Sequence, residues 1–135
     1  MKAQVKDVND LSNLKLLENA LAVRSAFKIK NTITKLFTSK LSENENINSV
    51  YALDVIQMTH SHIMYVTFKN FLNHIDTHSY KCPKVKENLS LLARVLALQE
   101  LTLDSVALYE TGFFNLGTAT MILDAQKKNF IDLRP

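Results

Sequence analysis

The sequence predicts an all-α fold, an antiparallel bundle of about four helices. Three observations carry that expectation. The chain has only 2 Gly and 2 Pro in 135 residues, so the residues that shape hairpins and tight turns are nearly missing. Its apolar residues recur at helical spacing through long uninterrupted segments. A hydrophobic content of 47% against 21% charged residues supplies enough apolar surface for one buried core.

Taken in order, residues 1–10 are polar and aperiodic and read as a flexible tail, leaving 11–135 as the helical domain. Ser12 or Asn13 offers a cap for the first helix, because a short oxygen-bearing side chain satisfies its free N–H groups. The first helix then carries Leu14, Leu17, Leu21, Ile33, Leu36 and Phe37 at helical spacing, with Ala26 and Phe27 between. Ser42-Glu43-Asn44-Glu45-Asn46 is a polar loop holding the cap of the next helix. That second helix is expected from about Ile47 to Ile75, with Val50, Leu53, Met64, Phe68, Phe71, Leu72 and Ile75 on its buried face. The pattern breaks over Asp76 to Pro83, since the residue before a proline disfavours helix. A third helix follows from about Val85 to Tyr109. Leu89, Leu92, Leu96, Leu103 and Val106 form one seam, while Leu91, Val95, Leu98, Leu101 and Leu108 spread apolar surface round the rest, the pattern of a central helix. Gly112 to Gly117 forms the one glycine-containing turn, and a shorter fourth helix runs from about Thr118 to Asp132. Four helices alone seldom cover an all-round apolar third, so exposed apolar surface is expected.

Composition excludes several function classes. A net charge of +3 is too mild to indicate a nucleic-acid partner. No apolar run reaches the ~18 residues of a membrane span. The single cysteine, Cys82, excludes an internal disulfide and a multi-cysteine zinc site, and fits a reducing compartment.

Nothing in the residue pattern nominates a catalytic or metal site. His74 and His78 are four apart with Asp76 between, but two imidazoles need a third ligand to hold zinc. His60 and His62 are two apart and cannot share a helical face. Cys82 lies among Lys81, Lys84 and Lys86, which favours a thiolate, yet no base accompanies it. Glu110 precedes Gly112 without a partner, and Gly112 and Gly117 follow a helix rather than a strand, the wrong context for a phosphate loop. Charge is more informative. Arg24, Lys28 and Lys35 share one face of the first helix, and Glu100 and Asp104 are four apart on the third. A basic stripe against an acidic pair would set which helices are neighbours. The alternative is a phosphate-bearing ligand or an acidic lipid surface on the stripe.

Several stretches occur in a familiar order. Ala20-Leu21-Ala22-Val23-Arg24-Ser25-Ala26 lies in the first helix, and His62 and Phe68-Lys69-Asn70-Phe71-Leu72 in the second. The third carries Leu91-Leu92-Ala93-Arg94-Val95-Leu96-Ala97-Leu98, followed by Gly112-Phe113-Phe114-Asn115-Leu116-Gly117 and, at the end, Leu133-Arg134-Pro135. Over about 11–135 the chain resembles the C-terminal helical domain of the peroxisomal acyl-CoA oxidases. The resemblance implies a flavoenzyme that oxidises fatty acyl-CoA to trans-2-enoyl-CoA, with FAD as hydride acceptor and oxygen reduced to hydrogen peroxide. It implies further that the catalytic glutamate and most flavin contacts lie upstream of the matched segment, so that this is a truncated piece whose partners are the catalytic core and a dimer mate. None of Glu87, Glu100 or Glu110 matches the family base; no catalytic residue is carried over, and no cofactor is expected on this chain alone. Peroxisomal residence is implied for the parent enzyme only. Ser39-Lys40-Leu41 has the letters of a peroxisomal signal but is internal, and such a signal acts as the final tripeptide. The competing expectation is a freestanding helical interaction module without enzyme activity, holding a partner helix in a groove.

Overall fold

The computed structural model describes residues 5–134. Its long helices are α1 (Leu14–Thr38), α3 (Ala52–Thr77), α4 (Pro83–Leu103) and α6 (Thr118–Asp132); the short α2 (Glu43–Glu45) and α5 (Val106–Glu110) lie between them. No strand occurs among the described residues. The four long helices are the expected bundle. Cross-helix register gives their directions. Ser25 meets His62, and Thr32 meets Asp54, so α1 and α3 run antiparallel. Arg24 meets Glu100 and Lys28 meets Asp104, so α1 and α4 run in the same direction, both against α3.

The helix starts follow local chemistry. Asn13 caps α1, its side-chain oxygen accepting from the N–H groups of Lys15 and Leu16. Ser42 and Glu45 form a reciprocal capping box at α2. Pro83 opens α4, where its missing N–H costs nothing. Gly112, at φ 68°, ends α5 in a left-handed conformation that a side chain disfavours.

Three expectations are corrected. The second helix does not start at Ile47. The Ser42 cap begins a single turn that widens into a π-helical turn over Asn46–Val50, and α3 starts only at Ala52. Asn46 anchors the detour: it is buried, and its side-chain amide donates to the Leu41 carbonyl. Val50 and Leu53, expected on the buried face, are 55% and 65% exposed, because α1 meets this part of α3 through Asp54 instead. The third helix does not run to Tyr109; it breaks at Asp104 and Ser105 between α4 and α5. Finally, the tail is folded from Val5 onward, its first four residues lying outside the described ones. Val5 and Leu11 are buried and Val8 packs on the core, a three-residue spacing suited to the 3-10 helix over Val8–Ser12. That turn lies against α6, where Lys128 donates to Asn9 at 3.2 Å.

The core gathers Leu11, Leu17, Leu21, Phe68, Ile75, Leu98, Leu101, Leu108 and the Phe113–Phe114 pair of the glycine turn. Helix α4 touches α1, α3 and α6, the central position its all-round apolar pattern implied. The leucine seam is divided, however: Leu89 and Leu96 pack on the core, but the most deeply buried face lies beside them. Ala93 and Ala97 are fully buried, while Leu92, Leu103 and Val106 are 46%, 70% and 64% exposed. Small residues at the contact allow closer approach of helix axes, which sit about 8–10 Å apart according to side-chain size.

Phe68 is fully buried at the centre of α3. Phe68→Ala should lower unfolding stability by ~3–5 kcal/mol in a denaturant titration. The two capping carboxylates carry a pH prediction. Asp10 is held below its ordinary 3.8 by the N–H groups of Lys6 and Asp7. Glu45 is held below its ordinary 4.5 by the Ser42 hydroxyl and N–H. Groups depressed on folding stabilise the native form above their unfolded values and lose that contribution as pH falls through the folded ones. Amide protection at Lys6, Asp7 and Ser42 should therefore drop on acidification below the ordinary carboxylate range, while both groups remain silent near neutral pH.

Candidate functional site: a buried arginine network beside an apolar face

Arg24 is the largest fully buried side chain of the protein. It projects from α1 onto the C-terminal end of α4. Nη1 donates to the Glu100 carbonyl at 2.9 Å and to the Asp104 carbonyl at 3.3 Å, and Nη2 donates to Glu100 Oε2 at 3.1 Å. The last carbonyls of a helix have no partner within it and carry its negative dipole end, so a guanidinium there is doubly favoured. This contact explains the break in the third helix. Asp104 takes an extended conformation, and its carbonyl turns to Arg24 while Leu108 N–H bonds to Ser105 instead.

One turn further along, Lys28 pairs with Asp104, and two turns beyond that Lys35 pairs with Asp54 on α3. The basic stripe therefore faces the acidic pair on α4 as expected, except that Lys35 serves α3. All three cations of the stripe are matched within the chain, which leaves the phosphate or lipid reading of the stripe without a free charge. His60 completes the cluster from α3, its Nε2 lying 3.2 Å from the same Glu100 oxygen that Arg24 holds. His62, two residues on, faces α1 and meets Ser25 Oγ at 3.2 Å. The two histidines thus flank buried Ser61 and reach different neighbours, which their spacing required.

The remaining sequence candidates stay apart. His74 and His78 stack with centroids 5.1 Å apart on the exposed end of α3. No three His, Cys, Asp or Glu side chains among the described residues come together to hold a metal. Cys82 is exposed at the start of α4, and Lys81, Lys84, Lys86 and Glu87 are exposed around it. Glu110 is exposed at the end of α5, and Gly112 and Gly117 bracket a helix-linking turn. No described helix is long and apolar enough to cross a membrane.

Exposed apolar side chains stand beside the network. Ile56 on α3 and Leu103 at the end of α4 share a cleft of about 320 Å³ with Lys28, Gln57, His60 and Asp104. Ile63 on α3, Leu92 on α4 and Val106 on α5 are also exposed. A monomer of this size has no packing use for so many exposed branched residues, and large apolar patches mark interaction surfaces. The participation of His60 was not foreseen, because it links residues 40 positions apart. Its only sequence signal was a polar residue on a face otherwise carrying Leu53, Ile56 and Ile63.

The sequence matches the acyl-CoA oxidase family over residues 13–135, nearly the whole chain. The chain belongs to the acyl-CoA oxidase family. No match was found among curated proteins or among solved structures. As an acyl-CoA oxidase family member it is related to enzymes that use FAD, and the residues of the network can be tested against that group. A dinucleotide's pyrophosphate needs open N–H donors or unpaired cations. Here Arg24, Lys28 and Lys35 are all committed to carbonyls and carboxylates, and the one positive-φ glycine turns the chain between helices. The network does not fit a flavin; it is built to join helices of the oxidase domain.

Removing one member of a buried ion pair leaves the other charge uncompensated. Arg24→Ala should destabilise the acyl-CoA oxidase domain by ~3–5 kcal/mol in thermal or denaturant unfolding. His60→Ala, at a side chain 59% exposed, should cost much less.

Proposed function

We propose that this chain is the helical part of a peroxisomal, FAD-dependent acyl-CoA oxidase, which converts acyl-CoA and oxygen to trans-2-enoyl-CoA and hydrogen peroxide in fatty acid β-oxidation. Its role is structural: it packs on the catalytic core and on a dimer partner. The exposed apolar side chains of Ile56, Ile63, Leu92, Leu103 and Val106 are the observation that carries this reading. Burying them against a partner gains about 25 cal/mol per Å² of apolar area. Within the Arg24 network the carboxylates speak against a catalytic base. Glu100 is spent on Arg24 and His60, Asp104 on Lys28, and Asp54 on Lys35, where a proton-abstracting carboxylate must stand open to substrate. FAD is held, in this reading, by other segments of the enzyme.

A second reading has its own support. An apolar hollow of about 350 Å³ lies between the end of α1 and the α2 turn, lined by Ile33, Leu36, Phe37, Leu41 and Ile47. A freestanding interaction module would seat a partner helix in such a groove. The purified 135-residue chain separates the readings. It should give no acyl-CoA-dependent peroxide, and it should self-associate in sedimentation, with Ile56→Asp plus Leu103→Asp restoring the monomer. Full peroxide production from the chain alone would overturn the proposal. A wild-type chain that stays monomeric at high concentration would favour the interaction module.

A further inference from the structure

A further groove of the molecule is not part of the Arg24 network. It has a volume of about 690 Å³ and lies between the start of α1, the last turns of α3 and the middle of α4. Three cations line it: Lys15, Lys69 and Arg94, one from each helix. Lys15 is held by Glu18 at 2.8 Å. Lys69 and Arg94 form no ion pair among the described residues; Lys69 only lies over the Tyr65 ring, 5.9 Å from its centre. Arg94 is the more telling. Its Nε is shielded from solvent and has no hydrogen-bond partner, although an unsatisfied buried donor is costly. With Nε closed to solvent, the terminal Nη groups are the donors that an oxyanion in the groove would meet. The side-chain amides of Asn70 and Asn73, on the same stretch of α3 as Lys69, add further donors at the wall.

We propose that this groove binds a small molecule carrying a phosphate group, with Arg94 and Lys69 as its principal anchors. The donors approach from two helices rather than in one plane, which suits the tetrahedral oxygens of a phosphate better than a flat carboxylate. The groove is larger than the phosphate itself, and Leu14, Leu72 and Ile75 give it an apolar wall for an organic body. Asp76 also lines it and opposes the anion. With Lys15 and Glu18 cancelling, Asp76 leaves the groove a net charge of +1 from Lys69 and Arg94 (two cations less one carboxylate). Asp76→Asn should therefore tighten binding. This site stands independently of the oxidase reading.

The test is a thermal-shift and calorimetric titration of the full chain with inorganic phosphate and with phenyl phosphate, at constant ionic strength against chloride. A ligand that binds only the native state raises the melting temperature saturably. Both probes should do so, phenyl phosphate at lower concentration. Arg94→Gln and Lys69→Gln should each weaken binding roughly ten- to a hundredfold, the loss of a hydrogen bond to a charged group. Lys69 is exposed, so Lys69→Gln decides the matter if Arg94→Gln fails to fold. Absence of a shift with both probes overturns the proposal, as does binding that neither substitution weakens. An Asp76→Asn variant that melts lower and gains no phosphate response also overturns it, because Asp76 would then be the structural partner of Arg94.

Discussion

A guanidinium taken wholly out of water needs fixed oxygens in place of its hydration, and those that Arg24 has come from one place, the end of α4, with its Nε left unpartnered. Two backbone carbonyls and the Glu100 carboxylate converge there on one side chain of α1. The geometry admits one register between the helices. It also requires α4 to stop, because the Asp104 carbonyl that would continue the helix is turned to the arginine. The break then sets α5 against α1 and delivers the Gly112 turn that inserts Phe113 and Phe114 into the core. Apolar packing supplies the bulk of the stability, but it is tolerant of sliding; the arginine is not.

Helix type and order were legible in the sequence, because 3.6-residue periodicity and the near absence of Gly and Pro are local signals. So were the capping position of α1, narrowed to Ser12 or Asn13, and the pairing of the Arg24–Lys28 stripe with Glu100 and Asp104, since matched four-residue spacings on two helices are visible in one dimension. The break at Asp104 was not. Nothing local forbids helix there, and the carbonyl that ends it is claimed by a residue 80 positions earlier. The leucine seam of the third helix was misleading in part, for a related reason. Periodicity identifies apolar stripes but not which of two stripes faces inward, and here buried Ala93 and Ala97 mark the inner one. His60 joins Glu100 by the same kind of long-range contact, and the groove at Arg94 is assembled from three helices, so neither has a sequence motif.

Beside its apolar core the bundle places two kinds of group unusually. Charges are satisfied inside, between α1, α3 and α4, while leucine, isoleucine and valine stand outside on the same two helices α3 and α4. A catalytic pocket concentrates reactive groups at an opening; here the cleft beside His60 opens onto apolar rims and already-paired charges.

The turn over Val8–Ser12 lies on α6, and Asn9 meets Lys128 across 119 positions of chain. The bundle is therefore a ring closed by its two ends. By contrast, α3 and α4 are joined by residues 78–82 alone, and α1 and α3, across the longer 39–51 connection, share the most extensive helix contact of the fold. Loop-closure entropy rises with the length of chain enclosed, so the hairpins of neighbouring helices, α3–α4 and α1–α3, are less costly to form than the Asn9–Lys128 seam. Val5 and Leu11 enter the core through that seam. The order of assembly thus runs from the hairpins outward, and the last apolar side chains to lose water are those of the N-terminal turn.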